Sequence, residues 1–207
     1  MSSHLYAYGV IEAEDLELDI EGVEGESPVQ TVTFRTLSAV VTPIDDVDVE
    51  RTDENTRAHD EVLREVMMEG DGRTVVPMQF GMAFKSARTL KSVMRGGRRA
   101  FRKALMDVDG KVELGVKVVG SEDGALTRED VAADISERLV AVSDQEAEND
   151  LYSERLLFNR SYLLDRDAQE AFGEAVSELE DDYPDATVQY TGPWAPYNFV
   201  DVEIEAQ

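Results

Sequence analysis

Few groups in this chain could do chemistry, and their spacing is poor. His4 and His59 are the only imidazoles, the one side-chain type whose ordinary pKa suits proton transfer near neutral pH. His4 precedes the first strand-like run. His59 lies in TRAHDEV on a predicted helix, with Asp60 directed elsewhere on the surface, so both histidines are expected at a surface or boundary. Neither has a second histidine at metal-ligand spacing. Cysteine is absent, which excludes disulfides, thiolate zinc sites and thiol nucleophiles and fits an intracellular setting. The 45 aspartates and glutamates are so numerous that chance carboxylate pairs carry no information about acid–base catalysis. GMAFKSARTLK offers Gly, Lys and Ser ahead of a helix but lacks the GxxxxGK[ST] spacing of a phosphate loop. Ser86 there is read as a helix cap, with anion binding by the free amides as the alternative. No catalytic, metal or cofactor residue is assigned.

Charge is more informative. The formal net charge is -25, an excess that self-repels in dilute buffer but is tolerated where salt screens it, the Debye length being about 3 Å at about 1 M. A salt-loving source is therefore expected. Against that background, ten of the twenty basic residues fall between Lys85 and Lys117, with only three acids among them. Lys91, Arg95, Arg98 and Arg102 recur at helical spacing, and an exposed basic face opposite the apolar stripe is predicted. Such a face can pair with acidic patches of its own chain, dock an acidic region of a partner, or touch nucleic acid. The overall negative field argues against the last. A second candidate binding feature is YTGPWAPYNFVD, Tyr190 to Asp201, where two prolines hold Trp194 and Tyr197 between strand-like runs. Rigid aromatics with an apolar face and a polar tip are good interface anchors, although a structured corner alone explains the prolines.

These groups must be positioned by elements that the periodicity outlines. LYAYGVI, VQTVTF and LSAVVTPI read as strands, the last two split only by Arg35 and Thr36, as in a tight hairpin. Thr52 or Asp53 caps a helix ended by GDG at Gly70–Gly72. A strand through Val76 then runs into an ordered loop at Pro77, and Ser86–Asp107 is a second helix with Leu90, Val93, Met94, Phe101 and Leu105 on one stripe. The remainder reads β-α-β-α-β-β. It comprises Lys111–Gly120, a helix from Thr127 continuing toward Asp150, Arg155–Asp165, a helix over Asp167–Tyr183 stopped by Pro184, and then TVQYTGPW and NFVDVEI. The expectation is an α+β protein of two small domains. Residues 1–109 end in the basic amphipathic helix, and residues 110–207 form a ferredoxin-like domain with a mostly antiparallel sheet. MSSHLYAYGVIEAEDLE has no basic flank before its apolar run, and nothing approaches the roughly 18 apolar residues of a spanning helix. No signal peptide, no membrane insertion and a cytoplasmic location are expected.

VVPMQFGMAFKS (Val75–Ser86) with the basic helix after it, YTGPWAPYNFVD and the opening LYAYGVIE together resemble the GvpF/GvpL family of gas vesicle accessory proteins, nearly end to end. The acidic bias looks like the haloarchaeal branch, and the length looks more like the F type than the longer L type. The resemblance implies an accessory role in assembling the hollow protein shells that give microbes buoyancy, with no enzymatic activity and no cofactor. It implies binding of the small hydrophobic shell protein, presence as a minor vesicle component, and two α+β domains, the second ferredoxin-like. The rival reading is a scaffold that mainly contacts other gas vesicle accessory proteins, with the basic helix as a dock for an acidic partner.

Overall fold

The computed structural model describes residues 4–70, 72–122 and 126–202. Strand β1 (His4–Glu12) organises the first half, because it is paired along both edges. On one side lies β4 (Leu37–Ile44), joined through the two-residue turn Arg35-Thr36 to β3 (Val29–Phe34), with the short β2 (Glu17–Leu18) outside it. On the other side VVPMQFGMAF meets β1 twice, as β5 (Val76–Pro77) and β6 (Ala83–Phe84). Proline cannot continue a ladder, so the chain leaves β1 after Pro77 and returns at Ala83.

Helices cover this sheet. In α1 (Asp53–Met68) Thr52 is the N-cap, its hydroxyl accepting from the Asn55 amide. In α2 (Ala87–Asp107) the cap is Ser86, accepting from Thr89. Leu90, Met94, Phe101 and Leu105 of α2 share one core with Leu5, Ala7 and Val10 of β1 and Leu37, Ala39 and Val41 of β4. Successive strand residues face opposite sides, which turns Tyr6 and Tyr8 the other way, toward His59 of α1.

The second half runs β7 (Lys111–Gly120), α3 (Arg128–Val140), β8 (Gln145–Glu148), β9 (Leu156–Asp165), α4 (Gln169–Asp182) and β10 (Ala186–Trp194). Its sheet order is β10-β7-β9-β8, with every neighbouring pair antiparallel. This β-α-β-β-α-β order is that of the split, ferredoxin-like motif. Val131, Ile135 and Leu139 of α3 and Phe172, Val176 and Leu179 of α4 close its core over Leu114, Val116 and Val118.

Two expectations are corrected. The stretch after Val142 is not continued helix. Gln145–Glu148 is an edge strand on β9, and its polar QEAE sequence hid it because an edge strand with solvent on one side carries no apolar signature. NFVDVEI is not strand where described. Tyr197–Phe199 is a 3₁₀ turn and residues 200–202 are irregular, while the rest of that stretch lies outside the described residues.

The chain divides into two compact units, Met1–Gly110 with Ala195–Gln207, and Lys111–Trp194. The domains expected from the sequence are residues 1–109 and 110–207. The return to the first unit has a local cause. The Tyr197 hydroxyl donates to Asp60 Oδ1 at 3.3 Å, and Val200 and Val202 pack against the core of α2 and β1.

Candidate functional site

Lys91, Arg95, Arg98 and Arg102 form one row along α2, as their spacing requires, but the row does not lie opposite the apolar stripe. At 3.6 residues per turn it sits about 100° round the helix from Leu90, Met94 and Phe101, and Lys91 and Arg98 on that shoulder are half-buried. Arg88, Arg95, Arg99, Arg102 and Lys103 are exposed. Pairing within the chain does not neutralise this surface. Lys103 reaches Asp107 one turn on, whereas Arg88, Lys91, Arg95, Arg98, Arg99 and Arg102 form no ion pair among the described residues. The Arg95 guanidinium instead lies 5.8 Å from the centroid of the Phe34 ring, and Arg35 takes up the same distance from that ring.

His59 is not at the surface. It is 2% exposed and shares a nest of rings with Tyr6, Tyr8, Phe80 and Tyr197, at centroid separations of 5.4 to 6.3 Å. The Tyr6 hydroxyl accepts from the Gly81 amide at 3.1 Å and shares a 2.8 Å hydrogen bond with His59 Nδ1, whose direction follows the imidazole tautomer. His59 Nε2 is buried and has no well-formed hydrogen bond among the described residues. Burial holds the His59 pKa down at about 4, opposed by the Met78 backbone and helped by the charge of Arg51. Beside it, burial raises the Asp60 carboxyl, partly offset by the hydrogen bond from Tyr197. His4 begins β1, and its Nδ1–H donates to the Asp45 carbonyl at 2.9 Å.

The nest joins the two unusual stretches of the sequence. Phe80 arrives from VVPMQFGMAF because the chain swings out between β5 and β6, and Tyr197 arrives from YTGPWAPYNFVD. Sequence reasoning missed His59 and Phe80. The available signal was the alternation in β1, which puts Tyr6 and Tyr8 on one face where a buried polar partner is needed for two phenols.

Trp194 and Tyr197 fall in different units. Trp194 ends β10 in the second unit, half-buried, with its Nε1–H donating to Thr191 Oγ1 at 3.3 Å, whereas Tyr197 belongs to the first unit. Between Thr191 and Trp194 the register with β7 shifts at Gly192, whose φ of +118° and close approach to the Glu113 carbonyl both require glycine.

Among the described residues no group of three or more His, Asp or Glu side chains is placed to hold a metal, and no helix is long and apolar enough to cross a membrane. These features define a protein of two α+β units with antiparallel sheets, set apart by an unneutralised basic helix and a buried aromatic nest. A family model described as gas vesicle synthesis protein GvpL/GvpF matches residues 4–128 and 122–201, and the chain belongs to that family. It is 57% identical over 207 residues to gas vesicle protein F of Haloferax mediterranei and 54% identical to gas vesicle protein F1 of Halobacterium salinarum, in each case covering 100% of this chain and 97% of the relative. The crystal structure of GvpF from Microcystis aeruginosa superposes with a TM-score of 0.84 at 16% identity, over 97% of this chain and all of that one. GvpF from Anabaena gives 0.77 at 19% identity, over 98% of this chain and all of that one, so both show the shared fold. The haloarchaeal relatives agree with the salt-adapted character expected from the charge.

Proposed function

We propose that this chain is a non-enzymatic accessory protein of gas vesicle assembly that binds the small hydrophobic shell protein and limits its aggregation while the vesicle nucleates or grows. Its end-to-end likeness to haloarchaeal proteins named gas vesicle protein F carries this reading. Physical chemistry supports it. A shell subunit with exposed apolar surface aggregates unless masked, and a partner at -25 stays dispersed while bound to it. In this role the protein works in the cytoplasm and on the vesicle, without nucleic acid, membrane or cofactor. Half-buried Trp194 is the aromatic we assign to partner contact, and Tyr197, tied to Asp60, contributes its ring edge. Light scattering of shell protein in molar KCl, with and without this chain, tests the proposal. Suppressed scattering and a co-migrating complex are expected, and their joint absence overturns it.

A second reading is favoured by the unpaired cations of α2: a scaffold that links other vesicle accessory proteins through Lys91, Arg95, Arg98 and Arg102. Pull-down against each vesicle protein separately divides the two. Capture of shell protein alone supports the first, and capture of accessory proteins lost on reversing those charges supports the second.

A further inference from the structure

Beside the C-terminal half of α2 the first unit has an open groove of about 810 Å³. Leu37, Leu105 and Met106 lie along it, with Arg35 and Arg102 on its rim. Three observations single it out. First, two of its three arginines carry no ion pair among the described residues. Arg35 and Arg102 form no ion pair among the described residues, while Arg73 in the same groove is held by Glu14 and Glu69 at 2.8 and 2.9 Å. The acids at the groove are mostly occupied: Glu14 by Arg73, and Asp109 by the Thr74 hydroxyl at 2.8 Å, leaving Glu12. Second, Arg35 holds a φ of +59° in the β3–β4 turn, a conformation in which Asn or Gly sits with less strain. A strained residue whose guanidinium rests on the ring of its own neighbour Phe34 and forms no ion pair among the described residues points to a further use for its charge. Third, Met106, one turn beyond Arg102, is 76% exposed at the lip of the groove, and methionine is the most adaptable apolar contact for a partner.

We propose that this groove docks an acidic segment of another protein, one that carries apolar side chains between its carboxylates. Arg35 and Arg102 clamp carboxylates across the groove, Arg95 and Arg98 extend the track along α2, and Met106 takes an apolar side chain. Guanidinium suits this task in strong salt. Long-range attraction is screened there, and what survives is the short two-pronged contact that arginine makes with a carboxylate and lysine does not. A nucleic acid fits less well. The ring nearest the track, Phe34, already carries Arg35 and Arg95, which compete with a base for stacking, and a chain at -25 repels phosphate. The proposal rests on the scaffold reading above and adds the site and the chemistry of its partner.

The test uses a fluorescein-labelled peptide of alternating glutamate and leucine, followed by anisotropy in the lowest KCl that keeps the chain folded. Binding to the unaltered protein is expected, with about tenfold weakening for each arginine contact removed in Arg35→Glu and Arg102→Glu. Arg35→Asn separates binding from folding, because Asn accepts the positive φ. It should keep or raise the melting temperature and still weaken the peptide. Arg57→Glu with Lys103→Glu imposes the same charge change outside the groove and should leave affinity within twofold. The proposal is overturned if the peptide does not bind, if the control pair weakens it as much as the groove pair, or if labelled oligouridylate binds more tightly with the same dependence on Arg35 and Arg102. The scaffold reading is tested separately, by pull-down of accessory proteins with and without reversal of the α2 charges, so failure of the peptide at this groove is distinct from failure of that reading.

Discussion

In the second unit Arg138 reaches Asp134 and Asp182, Arg155 reaches Glu122, Arg160 reaches Glu146 and Glu148, and Lys111 bridges Asp144 and Asp165. On α2 of the first unit a longer run of arginines forms no such pair among the described residues, in a chain with carboxylates to spare. Charge placement is therefore not a uniform response to salt. The second unit uses its cations to tie helices, strands and loops together, as the first does at Arg73, whereas the first keeps the arginines of α2 on a surface. Ion pairs within a chain of excess acid report on structure, and their absence beside so many available acids reports on availability to something else.

The comparison can be broken most forcefully at Arg160. Its side chain is 17% exposed and donates to Glu146 at 2.6 Å, to Glu148 at 2.8 Å and to Ser136 at 2.7 Å. Arg160→Leu leaves the half-buried Glu146 carboxylate without its cation and is expected to cost about 3 kcal/mol, read from urea unfolding in molar KCl. A loss below about 1 kcal/mol would mean that the second unit does not depend on its pairs.

A slightly smaller effect contrasts the units by pH. His59 is kept neutral by burial, with a folded pKa of about 4 against roughly 6.5 in an unfolded chain. A depressed histidine contributes fully above the unfolded value and loses that contribution as pH falls through the folded one. The expected loss between about pH 6.5 and pH 4 is up to about 3 kcal/mol. The groups facing it are Tyr6, Tyr8, Asp60 and Arg51. Burial holds Asp60 above its ordinary value, so its protonation favours the fold and opposes the loss at His59. In the second unit burial pulls Glu146 upward, but hydrogen bonds from Arg160, Tyr162 and Ser136 outweigh it and leave the pKa lowered, so that pair weakens only below about pH 4.5. The first unit should thus yield to acid before the second. In His59→Phe the slope above pH 4.5 should vanish, and an unchanged slope would remove His59 as its source.

The smallest expected effect is on α2. Replacing Arg88, Arg99 and Arg102 with glutamine should shift stability by no more than about 0.5 kcal/mol, because each residue is exposed and forms no ion pair among the described residues. A melting temperature measured in molar KCl that drops substantially would show that these cations serve the fold, erasing the contrast with Arg160.

How much of this was legible in the residues depended on whether the signal was local. α2 was readable end to end, because Ser86 caps it and Leu90, Met94, Phe101 and Leu105 repeat at helical spacing. The β3–β4 hairpin followed from two β-rich runs split by two residues. β8 was not readable, since QEAE pairs at an edge through its backbone and its side chains say nothing of strand. The same applies to the site. The basic row was visible from spacing, but its position on the shoulder of α2 and its freedom from ion pairs are tertiary facts. His59 looked like a surface residue among TRAHDEV neighbours, and only the approach of Tyr6 from β1 and of Phe80 from the loop after Pro77 buries it. The resemblance to the family supplied the role, which no residue pattern in this chain could have supplied by itself.

The crossing back at Ala195 has a consequence for biosynthesis. The first unit is discontinuous: Asp60, the acceptor for Tyr197, is translated long before its donor, and the whole second unit is made in between. At roughly 5–20 residues per second the ribosome spends several seconds on that interval. Throughout it, α2 and its core lack Val200 and Val202, and the aromatic nest lacks one wall. The nascent first unit therefore waits, incomplete, for the second to be synthesised, and the order in which the two mature is written into the path of the chain.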